Sequence, residues 1–275
     1  MLWRRCVQLG TGAALLVSSL ACATAAAAAP RPAGPGTSGL VRPAVQLIRP
    51  GVLVGPATPA AARPAAAARP LANATSTNWS GYAASGGTFT KVSASWVEPT
   101  GTCSSGSQYS SFWVGLDGYS SSTVEQTGSE VDCSGGTPRY YSWYEIYPAA
   151  PVNFSNPVRP GDHVTGSVIS NGGGSYTLTL TDATQGWSHI VSATLNGAAN
   201  SSAEVIAEAP SSASGVLPLT DFGTVNFSGA TVNGSPIGND SPAEIAMVDG
   251  AGRGKDTVSA LSGGQDFSVT WQRST

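Results

Sequence analysis

Only a few side chains in this sequence can carry reaction chemistry, and most of the familiar arrangements are missing. There are two histidines, His163 and His189, and neither stands in a His-Glu-x-x-His or comparable ligand spacing, so zinc hydrolysis has no support. No Gly-x-Ser-x-Gly elbow is present, which removes the usual framework for a Ser-His-Asp enzyme. The four cysteines include no Cys-x-x-Cys pair. Carboxylates and amides remain. Several acids alternate with aromatic residues in strand-like runs, where every second side chain shares a face. In 111–117, Trp113, Gly115 and Asp117 oppose Phe112, Val114 and Leu116. In 141–147, Tyr141, Trp143, Glu145 and Tyr147 share a face, and in 203–208 Glu204, Ile206 and Glu208 do so. A solvated sheet face is normally Thr, Ser and Lys; Trp and carboxylate on successive strands read as the wall of a binding cleft, or as aromatic residues covering a core edge.

The elements that must position these groups are strands. Short alternating runs at 91–97, 111–116, 140–147, 163–169, 176–181, 189–195, 203–208, 223–227, 244–248 and 266–271 are separated by turns such as Pro160-Gly-Asp162, Asn196-Gly197 and Asn233-Gly234. No stretch keeps helical periodicity over three turns. Ten or more strands over residues 76–275 predict one all-β antiparallel sandwich or barrel.

The chain of 275 residues has only 11% charged residues, against about a quarter in an ordinary globular domain. Its charge is unevenly placed. Residues 1–75 hold seven arginines and no acid, whereas 76–275 hold six basic and sixteen acidic residues, a net charge of −10. That excludes nucleic acid as a main partner, because backbone phosphates demand clustered Lys and Arg. Residues 1–29 read as a secretory signal: Arg4 and Arg5, an apolar run from Gly10 to Leu20, then small residues. The run is too short to span a bilayer, and no later segment supplies a span. Cys22 hints at a lipid anchor, but Ser19 stands where such signals usually carry Leu. Residues 30–75, rich in Ala, Pro and Arg, are expected to lack a core and to act as a linker or as a removable pro-segment docked through its arginines. Once the signal leaves with Cys6 and Cys22, Cys103 and Cys133 remain, and in an oxidising compartment they are expected to pair.

Seven segments then fall in a known order: Asn78-Trp-Ser-Gly-Tyr82, Ser95-Trp-Val-Glu-Pro99, Trp113-Val-Gly-Leu-Asp-Gly118, Glu125-Gln-Thr-Gly128, Trp143-Tyr-Glu-Ile-Tyr-Pro148, Ala203-Glu-Val-Ile-Ala-Glu208 and Phe222-Gly-Thr-Val-Asn-Phe227. Together they make residues 76–275 resemble the glutamic peptidases, or eqolisins. The resemblance implies a concanavalin-like β-sandwich of two antiparallel sheets, made as a bacterial-type secreted proenzyme and acting extracellularly on polypeptides as an acid endopeptidase without cofactor or metal, as a monomer. Carried across motif by motif, the catalytic residues become Gln126 and Glu208, and the substrate-binding residues Trp113, Asp117, Glu130, Trp143 and Glu145. Two positions depart from the family pattern. Glu130 replaces an aspartate, and Val205 a tryptophan whose side chain faces away from Glu208.

A Gln amide is a permanently neutral donor, so it can do what the protonated partner does in a pair of carboxylates. Ionised Glu208, with an ordinary glutamate pKa of about 4.3, would take a proton from water while Gln126 stabilises the oxyanion. A sugar-active sandwich shares the architecture and the aromatic faces. Its carboxylates would need to stand roughly 5–9.5 Å apart, whereas Glu204 and Glu208, at i and i+4 on a strand, stand about 13 Å apart. A non-catalytic adhesion or sugar-binding module is the third reading.

Overall fold

The computed structural model describes residues 74–119, 121–212 and 214–275. The expected signal and all but two residues of the Ala/Pro/Arg-rich stretch lie outside the described residues. In chain order the strands are β1 (Ala74–Ser76), β2 (Trp79–Ser85), β3 (Lys91–Val97), β4 (Gln108–Leu116), β5 (Val124–Ser134), β6 (Thr137–Tyr147), β7 (Val152–Asn153), β8 (His163–Gly172), β9 (Ser175–Asp182) and β10 (Trp187–Thr194). They continue with β11 (Ser202–Glu208), β12 (Ser211–Ser212), β13 (Gly215–Val216), β14 (Thr224–Val232), β15 (Ser235–Pro236), β16 (Ala243–Met247), β17 (Asp256–Val258) and β18 (Phe267–Trp271). The fold is all-β, as the alternation predicts.

Two large sheets form the sandwich. The first runs β1-β16-β2-β11-β4-β5-β6-β7; the second runs β10-β9-β8-β3-β14-β18-β17, with β15 on β14. Pairing is antiparallel except at one edge, where β1 lies parallel to β16. That strand begins at Ala74, inside the stretch read as leader. Cys103 and Cys133 form a disulfide that ties the segment before β4 to the end of β5.

The period-2 pattern divides the first sheet into two apolar faces. Phe112, Val114, Leu116, Val205 and Ala207 meet Trp96, Val168, Leu178, Leu180, Phe227 and Val269 of the second sheet in the main core. On the opposite face Trp79, Ala83, Trp113, Val124, Trp143, Ile206 and Ile245 make a second buried cluster. Val205 belongs to the main core and Ile206 to the second cluster, so the Trp-to-Val departure alters the interior and not the Glu208 face.

Every strand expected from the sequence is present, with ends shifted by up to a few residues, but β2 and β5 were not among them. β5 reads Glu-Gln-Thr-Gly-Ser-Glu-Val-Asp, a composition that disfavours a strand. It is nonetheless held between β4 and β6 over its whole length and buried on both faces. Tertiary pairing overrides local propensity there. Gly128 marks how tightly. It faces Trp113 on β4 and Trp143 on β6, and a Cβ there would lie 2.2 Å from the Phe112 carbonyl oxygen and 2.6 Å from the Trp113 Cβ. Gly128→Ala is therefore expected to cost about 1–3 kcal/mol through overpacking and to lower Tm by several degrees. Gly106→Ala, where a Cβ meets nothing within 4 Å, serves as the neutral control in the same melting experiment.

Candidate active site

The face of the first sheet turned away from the second carries the acids and the amide. Glu208 ends β11 beside Trp79 of β2 and Ser111 of β4. Gln126 stands on β5 opposite Gly115 of β4 and Glu145 of β6. Strand alternation brings Trp113, Glu130, Trp143 and Glu204 to the same side.

Hydrogen bonds fix both candidate groups. Asn78 Nδ2 donates to Glu208 Oε1 at 3.0 Å, and Trp113 Nε1 donates to Glu208 Oε2 at 2.8 Å. Gln126 Nε2 donates to Glu145 Oε2 at 2.5 Å. The Gln126 Oε1 is buried with no hydrogen-bond partner among the described residues. Gly115 gives Trp113 room to reach both sites, since a Cβ at that position would stand 3.0 Å from the indole Cζ3 and 3.1 Å from the Gln126 Cβ. Trp79 meets Trp113 edge-on with centroids 4.9 Å apart. The indole of Trp113 thus bonds Glu208 with its N–H, while its far rim and Gln126 both border the bare Gly115.

Burial first, and then the nearby Glu145, push the Glu208 carboxyl up to about 8, against the N–H groups of Trp113 and Asn78, which work in the opposite direction. This corrects the ordinary glutamate value expected from sequence. In this buried setting Glu208 holds its proton across the acid range. Because desolvation is the largest cause, hydrating this face is what lets the two donors favour the carboxylate.

The residues predicted from sequence do not all gather. Trp113 and Glu145 contact the catalytic candidates directly. Trp143 is buried opposite Gly128, forming floor, and its Nε1 has no hydrogen-bond partner among the described residues. Glu130 is buried on the same face between Ser111 and Tyr141. Asp117 makes no hydrogen bond to Gln126 or Glu208 among the described residues. It has a φ of 68° just past the end of β4, and its oxygens accept from the Asn200 N–H at 2.7 Å, the Ser201 N–H at 2.8 Å and the Ser201 hydroxyl at 3.1 Å. Asp117 therefore fastens the segment leading into β11. Sequence reading gave no role to Asn78, which precedes β2 and so has no strand parity to betray it. Only the tertiary pairing of β2 with β11, with the Ala209 N–H donating to the Asn78 carbonyl, brings it to Glu208.

A β-sandwich with a buried acid and an amide on its outer wall defines a narrow class, and comparison with known proteins identifies it. Residues 77–271 match the Peptidase A4 family, and the chain belongs to that family. It is similar to aspergillopepsin-2 of Aspergillus niger, 28% identical over 222 residues covering 71% of this chain and 78% of that protein. Among solved structures it resembles scytalido-glutamic peptidase with a transition state analog inhibitor (25% identity, TM-score 0.63, 71% of this chain and 98% of that one). It also resembles aspergilloglutamic peptidase from Aspergillus niger (26% identity, TM-score 0.51, 60% and 99%). The chain is a glutamic-type peptidase, and its substrates are polypeptides.

Five further acids are buried with raised pKa values, chiefly by desolvation: Glu98 and Glu125 to about 8, Asp256 to about 7, Glu204 well above its ordinary value, and Asp182 above its own. A carboxyl whose pKa is higher in the folded than in the unfolded chain stabilises the fold fully below the unfolded value. That contribution fades as pH rises through the folded value. With Glu208 included, Tm is expected to be highest in acid and to fall progressively from about pH 4.5 to about pH 8. Lys255, lowered to about 8, adds nothing to this window, since both states keep its proton below it. Calorimetric scans across pH 3–8 measure the trend; a flat or rising Tm would contradict the burial of these acids.

Proposed function

We propose that this peptidase is a secreted acid endopeptidase in which Glu208 is the general base and acid and Gln126 the oxyanion donor. The observation that carries this reading is the shared face on which Glu145 bonds Gln126 and raises Glu208. Once the hollow is hydrated, ionised Glu208 takes a proton from water as the water oxygen bonds to the scissile carbonyl carbon. The carbonyl oxygen becomes an oxyanion. One Gln126 N–H stays on Glu145, and the other stabilises that oxyanion. Glu208 then returns its proton to the amide nitrogen, and the C–N bond breaks to give a free acid and a free amine. Trp113 and Asn78 position Glu208, Glu145 positions Gln126, and Trp143 and Glu130 line the same wall.

Export is supported by the signal-like residues 1–29 and by the Cys103–Cys133 disulfide. Residues 30–75 supply five arginines and no acid to a domain of net charge −10. They serve as an inhibitor held near neutrality by the negative charge of the domain and released as its ionised carboxylates protonate in acid.

Glu208→Gln and Gln126→Ala are each expected to cut casein hydrolysis at about pH 4 by roughly 100-fold or more while leaving the circular dichroism spectrum unchanged. Normal hydrolysis by either would overturn the assignment. Asn78→Ala removes a donor to the Glu208 anion, and a hydrogen bond to a charged group is worth about 1.5–3 kcal/mol. It should shift the acidic limb of the kcat/KM profile upward by about 1–2 pH units. Neutral replacement of Arg31, Arg42, Arg49, Arg63 and Arg69 should raise the pH at which the secreted form becomes active. An unchanged activation pH means a passive linker.

A further inference from the structure

A cavity of about 270 Å³ lies beside the candidate site, lined by Thr77, Val216, Leu217, Val248, Asp249, Gly250, Lys255 and Thr275. Its walls continue directly from the residues that hold Glu208. Thr77 precedes Asn78. The Leu217 N–H donates to the carbonyl of Pro210, two residues past Glu208, and the Val248 N–H donates to the Ser76 carbonyl.

The lining carries one acid, Asp249, and one base, Lys255, and two further cations stand on Asp249. Three of the six basic residues in 76–275 gather here: Arg253, Lys255 and Arg273. Two of them are spoken for. Arg253 Nε pairs with Asp249 Oδ2 at 2.7 Å and Arg273 Nη2 with the same oxygen at 3.2 Å, while Asp249 Oδ1 accepts the Ala251 and Arg253 N–H groups. Asp256, next to Lys255 in sequence, accepts from the Ser80 hydroxyl and the Met247 N–H, and burial keeps it neutral up to about pH 7. Lys255 is only 4% exposed, and its ammonium has neither an ion pair nor a hydrogen-bond acceptor among the described residues. A largely desolvated ammonium without an ion pair is costly and is stabilised by an incoming anion; Asp256 and Asp249 offset part of that cost, and Arg273 adds to it. The cost shows in its pKa, lowered to about 8 chiefly by desolvation. The second cavity, of about 470 Å³ beside Cys103, has no basic residue in its lining.

We propose that the Lys255 cavity is a subsite for a carboxylate of the polypeptide substrate, carried on an apolar or slender stem that fits between Val216, Leu217 and Val248. This deepens the function assigned above and rests on it. The Arg-rich residues 1–75 contain no Glu or Asp, so no side chain of theirs supplies the ligand. A carboxylate reaches the cavity from either of two sources, a Glu or Asp side chain or a free chain end.

Matched peptides distinguish the sources. One series places Glu or Gln at successive positions around a fixed cleavable bond; the other ends in a free carboxylate or its amide. At about pH 5.5 the peptide carboxylates are ionised and Lys255 is protonated. The acid member of one series is expected to be cleaved with a kcat/KM about ten-fold above that of its neutral twin, mostly through KM. Lys255→Met should reduce that ratio to about one and leave the neutral peptide within two-fold of the parent enzyme; Lys255→Arg should keep the preference. Equal rates for acid and neutral twins in the parent enzyme, or a ratio unchanged by Lys255→Met, would overturn the subsite. Calorimetric binding of an N-acetylated tripeptide acid and its amide to Glu208→Gln reads the cavity without hydrolysis. About ten-fold tighter binding of the acid, abolished by adding Lys255→Met, supports the subsite even where no peptide is cleaved. That last result would overturn the assigned reaction instead.

Discussion

The whole site depends on taking one carboxyl group out of water without giving it a cation. Glu208 is buried among Trp79, Trp113 and Ile206, and the groups that bond it are neutral N–H donors from Asn78 and Trp113. A lysine or arginine in their place would lock the anion and depress its pKa, leaving a weak base. Neutral donors orient the oxygens while letting the surroundings decide the charge. Glu145 completes the balance, because it raises Glu208 and holds the Gln126 amide at the same time. Acid and amide are therefore linked by a third residue that needs no role in bond-making.

That arrangement needs a rigid wall, and the first sheet provides it by being apolar on both faces. The core between the sheets fixes β4, β5 and β11 from below, and the tryptophan cluster fixes them from above. Two glycines permit the closeness. Gly115 admits the Trp113 indole beside Gln126, and Gly128 lets Trp113 and Trp143 flank a bare backbone. The glycine of the Gln-Thr-Gly motif is thus a packing requirement of the sheet, separate from the chemistry two residues earlier.

Charge distribution follows the same logic. A domain with few cations and several buried carboxyls avoids self-repulsion only when those carboxyls are protonated, so the fold is most stable in acid. Against that background the cations near Lys255 stand out. Asp249 pairs with two of them, and the third lines a cavity whose wall continues from Asn78.

The fold class and most strands were legible because alternation with period 2 survives in any strand with one apolar face, as at 91–97, 111–116 and 203–208. The same parity put Trp113, Glu145 and Glu208 on one side, and ordered motifs supplied Gln126. The polar β5 was not legible, because its stability comes from neighbours on both sides and not from its own residues. The bonds of Asp117 to Asn200 and Ser201 were not legible either: parity names a face, but not the backbone 83 positions away that a residue just past a strand meets. Asn78 could be found only in three dimensions, 130 positions from Glu208 in the chain. What the sequence determined by itself was therefore which side chains share a surface, since that needs only the alternation of a strand. What only the tertiary structure decided was their protonation and partners, because desolvation and hydrogen bonding depend on strands remote in sequence.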